Sequence, residues 1–395
     1  MRNLGVVFKA GSGYKALLVS ILATSLGYGL YKGILDNYLA QIVTMNEFDR
    51  GLTEFFREMP GLLLVFILAA LYTFSAERLY KIGSLIMLGG MVMISAVPPE
   101  KALVTMAVSL YSLGEHIQLG MKSTLTLGYA LPGRGGEALG VQSAVNQIGS
   151  LAGLIVIIVA FLFVPEGSSF RIFFWIASLI TLGSVATAMR LKGSSRTDPH
   201  RKRFYFRKKY TKYYMLEIFY GARKQVFFTF GPYVLILFYG ARTAAISFLL
   251  ALAAVAGFLL APVVGRIIDR IGYKTVMVAD TLILVVVCFF YGFAHHLFPR
   301  NVAYIVCCIN YILDSVISLA AMASSVYVQD ISDDPDEVRA TLSTGISVNH
   351  MITILIALFG GWIWQTLGIE TLFMLSALLG LINSAYAATI KTKKA

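Results

Sequence analysis

Charge is scarce in this sequence. Only 14% of its 395 residues are Asp, Glu, Lys or Arg, while 57% are hydrophobic. Soluble domains need a charged face on their surface helices, so this scarcity argues against an ordinary soluble fold. Cysteine is scarcer still. Cys288, Cys307 and Cys308 fall inside apolar runs, have no metal-ligand spacing and read as small packing residues. No G-x-x-x-x-G-K-[ST] stretch exists to cradle nucleotide phosphates, which argues against an ATP-driven pump, and no other enzyme constellation emerges. No cofactor is implied. The first apolar run lacks a small-residue cleavage site and reads as a span rather than a signal peptide. Strict alternation is missing as well, which disfavours a β-barrel.

Long apolar runs are what the chain does have. They cover 17–35, 61–75, 82–97, 103–131, 139–164, 170–189, 215–239, 244–264, 276–294, 302–328, 342–367 and 372–390. A spanning helix needs about 20 mostly apolar residues. The reading is an all-α membrane protein with twelve transmembrane helices.

The net charge of +12 is distributed unevenly. With the N-terminus inside, the inner segments hold Arg2, Lys9, Lys15, Arg78, Lys81, Arg134, the stretch 190–212, Arg266, Arg270, Lys274, Arg339, Lys391, Lys393 and Lys394. The outer segments offer only Arg50, Lys101, Arg171, Arg242 and Arg300. The positive-inside rule then sets both termini in the cytoplasm, in the inner membrane. The basicity faces anionic lipid and calls for no nucleic acid.

The spans divide into two halves, 1–190 and 213–395, joined by a basic linker, 191–212. Phe204, Tyr205 and Phe206 among its cations suit an amphipathic segment on the inner leaflet. The halves look alike. Tyr28-Gly29-Leu30-Tyr31-Lys32 of the first span matches Tyr220-Gly221-Ala222-Arg223-Lys224 of the seventh. Val145-Asn146-Gln147 matches Val348-Asn349-His350, and the loop at Glu77-Arg78 matches the loop at Asp269-Arg270. Repeats in this order suggest two pseudosymmetric six-helix bundles around a midplane site. A monomer is expected.

The run Gly265-Arg266-Ile267-Ile268-Asp269-Arg270-Ile271-Gly272-Tyr273-Lys274 closely resembles the G-x-x-x-D-R-x-G-x-[RK] loop motif of the major facilitator superfamily. With twelve spans and a basic central loop, the resemblance covers essentially the whole chain. It implies the major facilitator fold and secondary active transport by alternating access. It also implies a gate made by Gly265, Asp269 and Arg270, with Glu77 and Arg339 as the weaker counterpart. The first-half motif, Ser75-Ala76-Glu77-Arg78, is degenerate. The fifth span has Gly149-Ser150-Leu151-Ala152-Gly153 in place of the G-P-x-x-G-G of drug-proton antiporters, and His116 stands where those antiporters have an arginine. Both departures lower the expectation of drug efflux.

Ionisable groups inside spans are the sharpest functional signal, because a charge at the bilayer centre costs roughly 3 kcal/mol or more. They fall on span one (Lys32, Asp36), span four (Glu115, His116, Lys122), span seven (Glu217, Arg223, Lys224) and span ten (Asp314). In the superfamily these four spans line the central cavity. Lys32, Lys122, Arg223 and Lys224, with Tyr28 and Tyr31, are the candidate solute-binding residues. Glu115, His116, Asp36 and Asp314 are the candidate proton-coupling residues. Each has a bland counterpart: Asp36 solvated at a helix end, Glu217 at the inner interface, Glu115 and Lys122 as a structural ion pair. Glu54, Arg57 and Glu58 read as an outer-surface network, and Asn146, Gln147, Asn349 and His350 as residues at the inner starts of their spans. His295-His296 lacks a second ligand pair and reads as interfacial, so no metal is expected. The run 333–337 reads as a solvated loop at the start of span eleven.

The expected partners are a small-molecule solute, protons and membrane lipid. The leading expectation is proton-coupled transport of a small anionic organic solute. Proton-coupled export of drugs or amphipathic cations is the alternative, and a lipid translocase or a non-transporting sensor stands beside it.

Overall fold

The computed structural model describes residues 7–11, 13–71, 73–191 and 206–390, with the side chains at 65, 68, 69, 335, 336, 339 and 343 outside that description. Most of the basic linker, at 192–205, and the tail at 391–395 therefore lie outside the described residues, and so does the Arg339 side chain.

The helices are α1 (Gly13–Gln41), α2 (Glu47–Ala70), α3 (Ala76–Ala96), α4 (Lys101–Tyr129), α5 (Gly135–Phe163), α6 (Ser168–Ala188), α7 (Thr211–Tyr239), α8 (Thr243–Ile271), α9 (Tyr273–Leu297), α10 (Arg300–Ile317), α11 (Met322–Ile331), α12 (Pro335–Leu367) and α13 (Ile369–Ala388). A 3₁₀ turn, Ser318–Ala321, runs α10 into α11 as one rod. The described residues thus form twelve rods. Nine of them are long and apolar enough to cross a membrane by length and composition. The other three, α2, α4 and α7, carry charged residues in mid-helix, among them Glu54, Arg57, Glu115, Lys122, Glu217 and Arg223.

The chain turns where backbone chemistry demands it. Gly240 ends α7 in the left-handed region at φ 71°, and Gly272 makes the tight α8–α9 turn at φ 85°. Both are positions where a side chain would be strained. Ser75 caps α3 by accepting from the Arg78 amide at 3.3 Å. The sides are turned inside out relative to a soluble protein. Phe163, Leu179 and Phe258 are exposed, while Ser20, Thr24, Ser112 and Thr229 are buried. That pattern fits helices solvated by lipid, with hydroxyl groups joining them.

One start differs from expectation. The sequence places the second span at 61–75, yet α2 begins at Glu47 and carries Pro60 within it. A membrane helix tolerates such a proline because neighbouring groups satisfy the backbone.

The molecule divides into two compact units. The first holds α1, α2 from Phe56 onward, α3 to α6 and the short segment Thr243–Phe248. The second holds Met45–Phe55, α7, α8 from Leu249 onward and α9 to α13. Each unit repeats one packing scheme. In the first, α1 packs on α5 and α6, and α3 packs on α4 and α6. In the second, α7 packs on α12 and α13, and α9 packs on α10 and α13. The repeated sequence motifs sit at matching joints. A Cβ on Gly29 would meet the Ser150 carbonyl of α5, and one on Gly221 would meet Asn349 and Ile352 of α12. Close helix approach at small residues replaces the hydrophobic drive that lipid removes.

Candidate functional site

In the first unit, α1 brings Lys32 and Asp36 onto one face, as an i, i+4 spacing requires. The Lys32 ammonium donates to Asp36 at 3.0 Å. Asp36 is 1% exposed, so the solvated helix-end reading is corrected. Tyr31 is buried and its ring lies 4.6 Å from that of Tyr111, while Tyr28 is half-buried one turn earlier.

On α4, Glu115 and Lys122 are half-buried. Their spacing of seven residues puts them two turns apart, and among the described residues neither makes an ion pair. The alternative of a contact ion pair between them is therefore not formed, although Glu115 acts on Lys122 at longer range. His116 is buried, and its Nδ1 lies 2.8 Å from the Ser112 carbonyl. A carbonyl oxygen only accepts, so that contact makes Nδ1 the protonated nitrogen. The Glu58 carboxylate comes within 4.8 Å of the His116 ring nitrogen. Arg57 ion-pairs with Glu58.

The acids near the start of α2 are not the outer-surface network that the sequence suggests. Arg50 and Glu54 are each 1% exposed and pair at 2.9 Å. Within the second unit, Gln225 of α7 donates to Glu54 at 3.1 Å, and the Tyr233 hydroxyl donates to the Met45 carbonyl at 2.8 Å. The cause is the early start of α2. Its first turns lie against α7 and α12 instead of in solvent, with Gly51 against Gly361.

In the second unit the charges gather around α7. Arg223 is 2% exposed and donates through Nη2 to Asp280 of α9 at 2.8 Å, with its guanidinium 5.1 Å from the Tyr220 ring centre. Its Nε and Nη1 find no hydrogen-bond partner among the described residues. Lys224 is turned about 100° away on the helix. It is exposed and makes no ion pair among the described residues. Asp314 of α10 is half-buried, with Arg223 and Lys224 the cations that act on it. Glu217 accepts from Ser324 of α11 at 2.9 Å and from the Asn349 amide of α12 at 3.4 Å, so it joins α7 to both helices. Ser25 donates to Asn146 at 2.7 Å at the matching joint of the first unit. Asn146 and Asn349 therefore lie in mid-helix, not at the starts of their spans. A cavity of about 20 Å³, lined by Tyr220, Asp280, Ser324 and Asn383, has room for about one water and for no organic solute.

The loop motif has two kinds of glycine. Gly272 is required by its φ, whereas a Cβ on Gly265 would meet nothing within 4 Å. Asp269 and Arg270 are exposed and make no hydrogen bond or ion pair through their side chains among the described residues. Glu77 is buried in the first turn of α3, where the helix dipole favours a carboxylate. The run 333–337 is more ordered than a solvated loop. Asp334 accepts from the Glu337 amide at 2.8 Å, and Glu337 accepts from the Asp333 amide at 2.9 Å. This reciprocal cap opens α12. Arg207 and Lys209 pair with Glu337 and Asp333, and the hydrogen bond from Lys209 to Asp333 holds that ammonium above its ordinary pKa.

Sequence reasoning missed Asp280. A carboxylate in the run 276–294 is a visible signal, but nothing local pairs it with Arg223, 57 residues away. Arg50 was missed because the apolar run that marks α2 starts after it.

The sequence model of the Major Facilitator Superfamily matches residues 17–343. Solved structures share the fold at low identity. The nucleoside transporter NupG, as a point mutant, aligns with a TM-score of 0.76 at 14% identity, covering 96% of this chain and 100% of that one. A peptide transporter POT mutant in complex with sulfate aligns with a TM-score of 0.73 at 14% identity, covering 96% of each chain. A POT family transporter in complex with 5-aminolevulinic acid gives 0.72 at 10% identity, covering 94% of each. No curated protein sequence matches the chain significantly. The family match spans most of the chain and agrees with the twelve-rod, two-unit architecture: this protein belongs to the Major Facilitator Superfamily and is a multi-pass membrane protein of its secondary-transporter class.

Proposed function

We propose that the protein moves a small organic solute bearing a carboxylate or phosphate group across the inner membrane, coupled to protons, with both termini cytoplasmic. The observation that carries this reading is Lys122. It is a half-buried cation within a spanning helix that makes no ion pair among the described residues, Glu115 two turns earlier acting on it only at longer range. A cation held in low dielectric without a contacting carboxylate favours an anion that arrives with the solute. The bound sulfate and 5-aminolevulinic acid of the POT-type structures fit a solute of this class.

Glu115, seven residues before Lys122, and Asp314 are acids inside spans that make no ion pair among the described residues, which suits them to take up and release a proton. His116 beside Glu58 offers a second titrating pair. Asp36 is committed to Lys32, which favours a linked role: protonation of Asp36 would free the Lys32 ammonium. Asp269, Arg270 and Gly265 form the gate in this reading, with Glu77 as the first-half counterpart. In support, Gly265 has no packing or backbone reason to be glycine in this conformation, and Asp269 has no partner here among the described residues. Both are then needed in another conformation.

One observation favours a second reading. Lys32 with Asp36 and Arg223 with Asp280 are internally balanced pairs, so two of the four candidate cations are already neutralised. A neutral polar solute, as the nucleoside transporter neighbour suggests, would suit such a balance. Thermal stabilisation of the purified protein by a panel of acids, nucleosides and sugars separates the two. Stabilisation by acids that is lost in Lys122→Ala supports the acidic solute; stabilisation by neutral solutes alone, unchanged in Lys122→Ala, supports the other.

A further inference from the structure

Three ligand atoms converge at the end of α9 and the start of α13, both in the second unit. The Nε2 of His296 lies 2.7 Å from Oε1 of Glu370, and the Nε2 of His295 lies 3.1 Å from the same oxygen. The two rings are 3.9 Å apart, and all three ligand atoms fall within 4.8 Å of one another. The sequence offered only the His-His pair, because Glu370 comes from the first turn of α13, 74 residues away from His296.

We propose that His295, His296 and Glu370 bind a divalent transition metal of the zinc class. Two imidazoles with one carboxylate suit Zn²⁺, Ni²⁺ or Co²⁺, whereas Mg²⁺ and Ca²⁺ want an all-oxygen shell. The spacing fits. A tetrahedral zinc, with Zn–N and Zn–O of about 2.0–2.2 Å, separates its ligand atoms by roughly 3.3 Å. His295 is within a few tenths of an ångström of that separation from Glu370. His296 needs to swing outward by a little more, and its side chain is 58% exposed, so the room is there. The last carbonyls of α9 also favour a cation at this end. His295 is held on its other side by the Phe238 ring at 5.1 Å, which fixes one ligand before the metal arrives.

Three protein ligands leave the fourth position to water, so the site is open and exchangeable rather than a closed structural one. A metal there ties the end of α9 to the start of α13. It acts as a clip on that pair, at the opposite end of α9 from the Tyr273 turn. On the orientation that the basic residues predict, this end faces outside, where the ligand would be free metal from the medium.

Calorimetric titration of zinc into the purified full chain, without a histidine tag, tests the site. We expect one zinc per chain, with Co²⁺ giving a four-coordinate visible absorption band. The affinity should fall at least tenfold in His296→Ala and in Glu370→Gln, and zinc should raise the melting temperature of the wild type but not of Glu370→Gln. Glu370→Gln keeps the shape of the carboxylate, so it separates lost ligation from lost folding. Absence of saturable zinc binding to the wild type would overturn the proposal, and so would equal binding by wild type and Glu370→Gln.

Discussion

Arg223 of α7 hydrogen-bonds Asp280 of α9 at 2.8 Å, and both side chains are buried. This pair changes how the α7 cations are read. In the sequence, Arg223 and Lys224 are equivalent candidates to meet an acidic solute. In the fold, one is tied to a carboxylate within its own unit and the other is exposed.

Removing one partner of such a pair strands a buried charge. Asp280→Asn is therefore expected to destabilise the protein by about 3–5 kcal/mol. The double variant Arg223→Gln with Asp280→Asn should recover part of that loss. Denaturation of the three variants in detergent measures it as a double-mutant cycle. Additive losses would show that the two residues do not act as a pair.

The α1–α5 joint makes a second expectation. Gly29 faces the backbone of Ser150 and Gly153, whereas a Cβ on Gly257 of α8 would meet nothing within 4 Å. Gly29→Ala should cost about 1–3 kcal/mol through forced separation of the helices. Gly257→Ala should be neutral or slightly stabilising, since a helical glycine is less favourable than alanine. Melting temperatures of the two variants, compared side by side, check the close approach. Equal values would refute it.

The proposed gate residues separate stability from turnover. Among the described residues Asp269 makes no side-chain hydrogen bond or ion pair that would stabilise this conformation. Asp269→Asn should then leave the melting temperature within the small range of surface substitutions. In the proposed gate its partner is met in another conformation, so its transport rate should fall. Parallel melting and flux measurements on the one variant decide this, and unchanged flux counts against a gate.

How far the sequence reached depends on what kind of signal each feature leaves. Lipid demands an unbroken apolar stretch, so eleven of the twelve spans were visible close to their observed positions; the joined rod α10–α11 was read as one span. The start of α2 was not, because Arg50, Glu54, Arg57 and Glu58 dilute the stretch that marks it. Their burial comes from helices far along the chain, which no local pattern encodes. The repeats were legible because Gly29 and Gly221 keep the same job in each unit. Charges on α1, α4 and α7 were equally plain. Which acid each cation meets was legible only for Lys32 and Asp36, where the partner is one helical turn away. The partner of Arg223 and the convergence of Glu370 on two histidines depend on tertiary contacts.

Lys122 sets the expectation for solute recognition. Lys122→Ala should weaken binding of an acidic solute about tenfold or more, as loss of a charge-assisted hydrogen bond does. Lys122→Arg should restore most of it. The readout is the KM for uptake, with the maximal rate much less affected. An effect on the maximal rate alone would assign Lys122 to coupling instead of recognition.

The most direct measurement is accumulation in proteoliposomes under an imposed proton gradient, with labelled organic acids, nucleosides and organic cations as competing solutes. We expect saturable accumulation of an acid that collapses with a protonophore and is inhibited by other organic anions. Saturable transport inhibited by neutral or cationic solutes but by no organic anion, or accumulation indifferent to the proton gradient, would contradict it.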